Sequence, residues 1–180
     1  MLINLPLLNI LVVMRFLIFI ILCVVFIACD AGLAPASPAE LGFSGSVYFV
    51  PGSWPADSLV SLWIFASQVY PLDSSKVYAG LFGNPVTIFL YPSMSSSLPF
   101  YVDSLEYSFP LSSGIYKYIG VIQQKDSDLQ GLGVRVFKVV GFYQDSVNSS
   151  LPGIVQVNDS VQVKGININV DFNNPPPQPF

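Results

Sequence analysis

An all-β fold, a single Greek-key β-sandwich of roughly seven to nine strands, is the architecture this sequence predicts, and three observations predict it. Aromatic and β-branched residues abound, and Gly, Pro, Ser, Asn and Asp interrupt them at short intervals. Only residues 1–29 hold a long apolar run free of such breakers. Several strand-like segments also carry apolar residues on both faces, which suits a sandwich better than an up-and-down barrel whose strands alternate cleanly.

The elements follow in order. Gly42 to Val50 alternates, with Phe43, Val47 and Phe49 in one phase, and reads as the first strand. Pro51 to Asp57 is a turn-rich connection. Ser58 to Gln68 places Val60, Leu62, Ile64 and Ala66 on one face and Trp63 and Phe65 on the other, the pattern of an inner strand covered on both sides. Val77–Phe82 and Val86–Tyr91 are expected as strands flanking the Gly83-Asn-Pro85 turn, followed by a Ser-rich loop from Pro92 to Pro99. Ser104 to Leu111 alternates weakly and Gly114 ends a turn. Ile115 to Lys125 then sets Ile115, Ile119 and Val121 against Tyr116, Tyr118 and Ile122. Gly133 to Tyr143 and Ile154 to Val157 supply two more strands. The last has Ile166, Ile168, Val170 and Phe172 inward and Asn167, Asn169 and Asp171 outward. The run Pro175-Pro-Pro-Gln-Pro179 cannot enter a sheet interior and is expected to trail off as polyproline II.

Residues 16–28 are wholly apolar, are entered from Arg15 and end on the small residue Ala28, the pattern of a secretory signal. Cys29 comes next. Phe26-Ile27-Ala28-Cys29 resembles the lipobox of bacterial lipoproteins, with Phe26 where leucine is usual. That resemblance implies cleavage between Ala28 and Cys29 and acylation of Cys29 as the new N-terminus. The expected organisation is a signal peptide over residues 1–28, the lipidated cysteine and a flexible tether over 29–41, the sandwich over 42–172 and a Pro-rich tail over 173–180. An uncleaved anchor is the alternative, since about 20 apolar residues cross a bilayer. Arg15 would then sit mid-span, at a cost of about 2.5–3.5 kcal/mol. A translation start at Met14 removes that difficulty, because Met14-Arg15-Phe16 forms a compact charged start.

Composition narrows the functions open to the exported part. Without Arg15, six basic residues face eleven acidic ones, a formal charge of −5 that repels phosphate backbones and argues against nucleic-acid partners. Both cysteines, Cys23 and Cys29, lie in or at the end of the leader, so no disulfide or thiolate site is expected in the domain. The chain has no histidine, which removes Ser-His-Asp and Cys-His catalysis and the common zinc ligand sets. The remaining length suits one domain with a substantial core.

Four segments carry a second resemblance. They are Phe43-Ser-Gly-Ser-Val-Tyr-Phe49, Gly52-Ser-Trp-Pro55, Phe109-Pro-Leu-Ser-Ser-Gly-Ile-Tyr-Lys-Tyr118 and Val161 to Phe172. Together the chain resembles bacterial envelope lipoproteins with one prealbumin-like sandwich, the class of carboxypeptidase regulatory-like domains and B-type adhesin repeats. The lysine on the first strand that starts an isopeptide link in such repeats has no counterpart between Phe43 and Val50. A fold of this class implies no particular activity.

Chemistry is sparse. Asp103 and Glu106 stand three apart at a strand start and are expected to project differently rather than to act as a hydrolytic pair. Asp126-Ser-Asp128 has alternate acids but neither the glycine nor the distal glutamate of an EF-hand, and reads as a polar loop. Trp54, Tyr70, Tyr91 and Tyr143 are the candidate stacking platform for a sugar ring, although a loop tryptophan in a sandwich more often covers the end of the core. No catalytic residue, metal ligand or cofactor is expected. The reading is a non-catalytic protein of the bacterial cell envelope, lipid-anchored at the periplasmic face or outer membrane, whose sandwich is an interaction or structural module. Its expected partners are the membrane, another envelope protein or a glycan. The alternative is a carbohydrate-binding module of a surface polysaccharide-uptake system.

Overall fold

The computed structural model describes residues 40–56, 59–125 and 137–179, together with Arg15. The chain divides into two compact units, Met1–Pro38 and Ala39–Phe180. Apart from Arg15, the expected signal segment with Ala28, Cys29, most of the expected tether and Asp126-Ser-Asp128 lie outside the described residues. Among the described residues, no helix is long and apolar enough to cross a membrane.

Two sheets face each other across one core. In the first, β1 (Phe43–Phe49) is central: it pairs antiparallel with β4 (Ser104–Phe109) and parallel with β9 (Ile168–Val170). In the second, β2 (Ser61–Ser67) lies between β3 (Ile88–Tyr91) and β6 (Tyr118–Gln124), and β7 (Phe137–Phe142) forms the far edge beyond β6. A short ladder joins β5 (Gly114–Tyr116) to β8 (Val155–Val157). The main core takes Phe43, Val47 and Phe49 from β1, Leu62, Ile64 and Ala66 from β2, Ile119 and Val121 from β6, and Ile168 and Val170 from β9. Each set is one phase of an alternating strand, so the all-β sandwich follows from the periodicity.

β2 is apolar on its other face too, and there the cover is a helix. α1 (Ser74–Phe82) sets Val77 and Leu81 over Trp63, Phe65, Ile88 and Ile122 on the outer face of the second sheet. Val77–Phe82 is therefore helical, not the expected strand. Asp73 caps it, its carboxylate accepting the Lys76 backbone N–H at 2.9 Å and the Ser75 hydroxyl at 2.6 Å. Val77 and Leu81 are also four apart, so the same short apolar run fits a helix as well as a strand.

The segment 115–125 differs as well. Tyr116 is buried in the main core with Ile119 and Val121, whereas Tyr118 and Ile122 lie in the outer cluster and Ile115 is exposed. One unbroken strand cannot place Tyr116 and Tyr118 on opposite faces. The phase slips at Lys117, where the chain leaves β8 and joins β2.

The last segment lies against both sheets. Ile166 N–H donates to the Ser44 carbonyl at 3.1 Å, and the buried Tyr107 hydroxyl donates to the Ile166 carbonyl at 2.6 Å. Burial, and secondarily Tyr143, holds that phenol well above its ordinary pKa. On the other side, Asp171 N–H reaches the Val140 carbonyl of β7 at 3.4 Å. Two glycines make room: a Cβ at Gly45 would collide with the Ile166 carbonyl, and one at Gly141 with the Asn169 carbonyl. Gly141→Ala should therefore destabilise the fold by about 1–3 kcal/mol, as overpacking does. Chemical denaturation measures it, and an unchanged midpoint would contradict this packing.

Candidate functional site

Trp54 stands at the end of the sandwich where β1 and β9 finish. Its ring packs 4.6 Å from Phe49 and 4.8 Å from Phe172, and its indole N–H donates to the Val102 carbonyl at 3.2 Å. The ring is half-buried and its one donor is engaged within the chain. This is the geometry of a cover over Phe49 and Phe172. Beside it lies Tyr101, 5.4 Å away with the planes at 47°. Tyr101 is 64% exposed and has φ +58°, a left-handed conformation that costs an ordinary residue roughly 1–2 kcal/mol. The strained backbone keeps a phenol ring in solvent next to the indole, an arrangement that can meet the flat face of a ligand.

The other three candidate tyrosines do not join Trp54. Tyr91 is half-buried, 5.4 Å from Phe109. Tyr143 is half-buried against the main core, where the lack of a Cβ on Gly153 leaves space for its ring. Tyr70, 40% exposed, lies at the opposite end of β2 from Trp54 and packs edge-on to Tyr118 at 5.4 Å. Asp103 and Glu106 are both exposed at β4. Among the described residues, no three His, Cys, Asp or Glu side chains gather.

A second surface forms around Tyr70. Tyr118 stands 5.9 Å from Phe142, so the three rings make a continuous aromatic floor beside Leu72 and Pro152. Burial, and then Tyr70, raises the Tyr118 phenol above its ordinary pKa. Over this floor comes the Pro-rich tail, which does not trail off as expected. Gln178 uses both ends of its amide on Val139 of β7: its Oε1 accepts the Val139 N–H at 2.8 Å and its Nε2 donates to the Val139 carbonyl at 3.0 Å. Pro177, Gln178 and Pro179 share with Tyr70, Tyr118 and Phe142 a cavity of about 230 Å³. The return starts at Asp171, whose carboxylate accepts the Asn173 and Asn174 backbone N–H groups at 2.9 and 3.2 Å and the Asn174 side-chain amide at 2.9 Å. The Asn174 side-chain bond, more than the two backbone ones, holds the Asp171 carboxyl below the usual range.

The sequence singles out Trp54 and Tyr70 as candidates but not Tyr101 or Gln178. Gln178 offered one sign, as the lone amide within a proline run. Tyr101 offered none, because its positive φ depends on the loop around it. The chain matches no protein-family model, no curated protein and no solved structure.

Two outcomes follow. Trp54→Ala should destabilise the fold by about 3 kcal/mol, as deletion of a core-covering ring does, whereas Tyr101→Gly should leave stability unchanged or raise it by releasing the left-handed strain. Thermal melts of the two variants decide it, and equal losses would contradict the division of roles. In a pH titration followed by NMR, the Asn174 side-chain amide should respond to Asp171 with a midpoint below the ~3.9 of free aspartate. A depressed carboxyl stabilises the turn at higher pH and loses that contribution as pH falls through its own pKa. A midpoint at or above the free value would contradict the cap.

Proposed function

We propose that this chain is a non-catalytic lipoprotein of the bacterial cell envelope, anchored through acylated Cys29, with a prealbumin-like β-sandwich as an interaction or structural module. The observation that carries the reading is the junction Phe26-Ile27-Ala28-Cys29, which ends an apolar run entered from Arg15 and precedes a small, Pro-rich segment. One acyl chain binds a membrane only marginally and two hold it stably; a lipobox cysteine of the kind this one resembles carries at least two. The acidic balance of the exported part fits a surface that does not engage phosphate polymers.

One observation favours the second reading, a carbohydrate-binding module. Exposed Tyr101 beside the half-buried Trp54 supplies the second nearby aromatic ring that favours a sugar-stacking platform. A glycan array probed with the chain and with Tyr101→Ala separates the two: glycan binding lost in the variant selects the module.

Anchoring is tested at Cys29. Cys29→Ser should abolish incorporation of a fatty-acid analogue and leave unprocessed precursor. Equal labelling of the variant would overturn the lipoprotein reading.

A further inference from the structure

The tail is seated on the domain in the way a ligand is. Gln178 occupies the outer edge of β7 as a neighbouring strand would, pairing with both the N–H and the carbonyl of Val139. The prolines around it share a cavity with the rings of Tyr70, Tyr118 and Phe142. Proline runs favour polyproline II, and aromatic-lined grooves recognise that form because its ordering cost is already low. A sheet edge adds the main-chain hydrogen bonds that set register. Both elements of recognition are therefore side by side: an aromatic floor for prolines and one polar clamp for an amide.

The seat is also shallow. Pro177 and Gln178 are exposed, and Pro175, Pro176 and Pro179 only half-buried. Two hydrogen bonds from Gln178 fasten the tail to β7, and the turn at Asp171 that directs it there is exposed. A contact held by so few bonds can open without unfolding the sheet beneath it.

We propose that the face made by Tyr70, Tyr118, Phe142 and the outer edge of Val139 is a binding site for an extended proline-rich segment of a partner protein, with a glutamine set between prolines. Residues 175–179 occupy it in cis and compete with that partner. The proposal goes beyond lipid anchoring and holds whether or not Cys29 is acylated. Because the tail is tethered next to its own site, its effective concentration is high, and the intact chain resists a free peptide.

The test uses a synthetic peptide of residues 173–179 and three forms of the full chain: intact, ending at Asn174, and Gln178→Ala. The peptide should bind the shortened chain saturably and the intact chain at least about ten-fold more weakly. A peptide carrying the Gln178→Ala change should bind the shortened chain roughly ten-fold less tightly, the loss expected for two hydrogen bonds. Should the shortened chain not fold, hydrogen exchange in the full-length Gln178→Ala chain supplies the answer. The Val139 amide should exchange faster than in the intact chain and regain protection when the unaltered peptide is added. No saturable binding to a folded shortened chain, equal binding to both chains, or no recovery at Val139 would overturn the site. A dimer of the intact chain that is lost on Gln178→Ala would overturn the partner reading in favour of tail exchange between copies.

Discussion

The segment from Ile166 to Asp171 can lie between two sheets only because Gly45 and Gly141 present no side chain to it. This close approach is the constraint on which the rest of the structure depends. It brings β9 into parallel pairing with β1 and within reach of the edge of β7, so the two sheets are tied along one side by the same stretch of chain. Ile166, Ile168 and Val170 thereby enter a core that β1 and β2 have already lined. Burial of such side chains is worth about 1.5–3 kcal/mol each, and that gain is available only if the backbone can come this close.

Closure of that side also fixes both candidate surfaces. Where β9 ends, Phe172 stacks in parallel with Phe49 and supports Trp54, which places Tyr101 in solvent beside the indole. One residue earlier, Asp171 turns the chain back so that Gln178 meets Val139. The edge of β7 is thus covered rather than left as an open row of donors and acceptors, which is how sheets avoid pairing with other chains. Aromatic chemistry at the two ends of β2 is a consequence of how the last strand is seated.

Much of this frame was legible in the residues. Phe43, Val47 and Phe49, and Ile166, Ile168, Val170 and Phe172, mark their strands by alternation alone, because each strand shows one face to a core. Trp63 and Phe65 announce a covered second face of β2, although the sequence of the cover itself, α1, predicts a strand as readily as a helix, because a six-residue apolar run suits either period. The slip at Lys117 was hidden because it records a change of partner, from β8 to β2, that no local pattern carries. Gln178 and Val139 are remote in sequence, and the pairing of a tail amide with a sheet edge leaves no periodic trace. Residue type and loop position single out the candidate aromatic residues but say nothing about whether they converge. Trp54 found Tyr101, Tyr70 found Tyr118, and Tyr91 and Tyr143 stayed with the core.

One strand, β9, makes the two sheets a single cooperative body. Native-state hydrogen exchange across the full chain tests it most directly, with the opening free energies of slow amides in β1 and β4 compared with those in β2 and β6. If β9 ties the sheets together, the two sets open with one common free energy and respond equally to low concentrations of denaturant. If β1 and β4 open at a clearly lower free energy while β2 and β6 keep their protection, the sheets fold as separate bodies and the account fails.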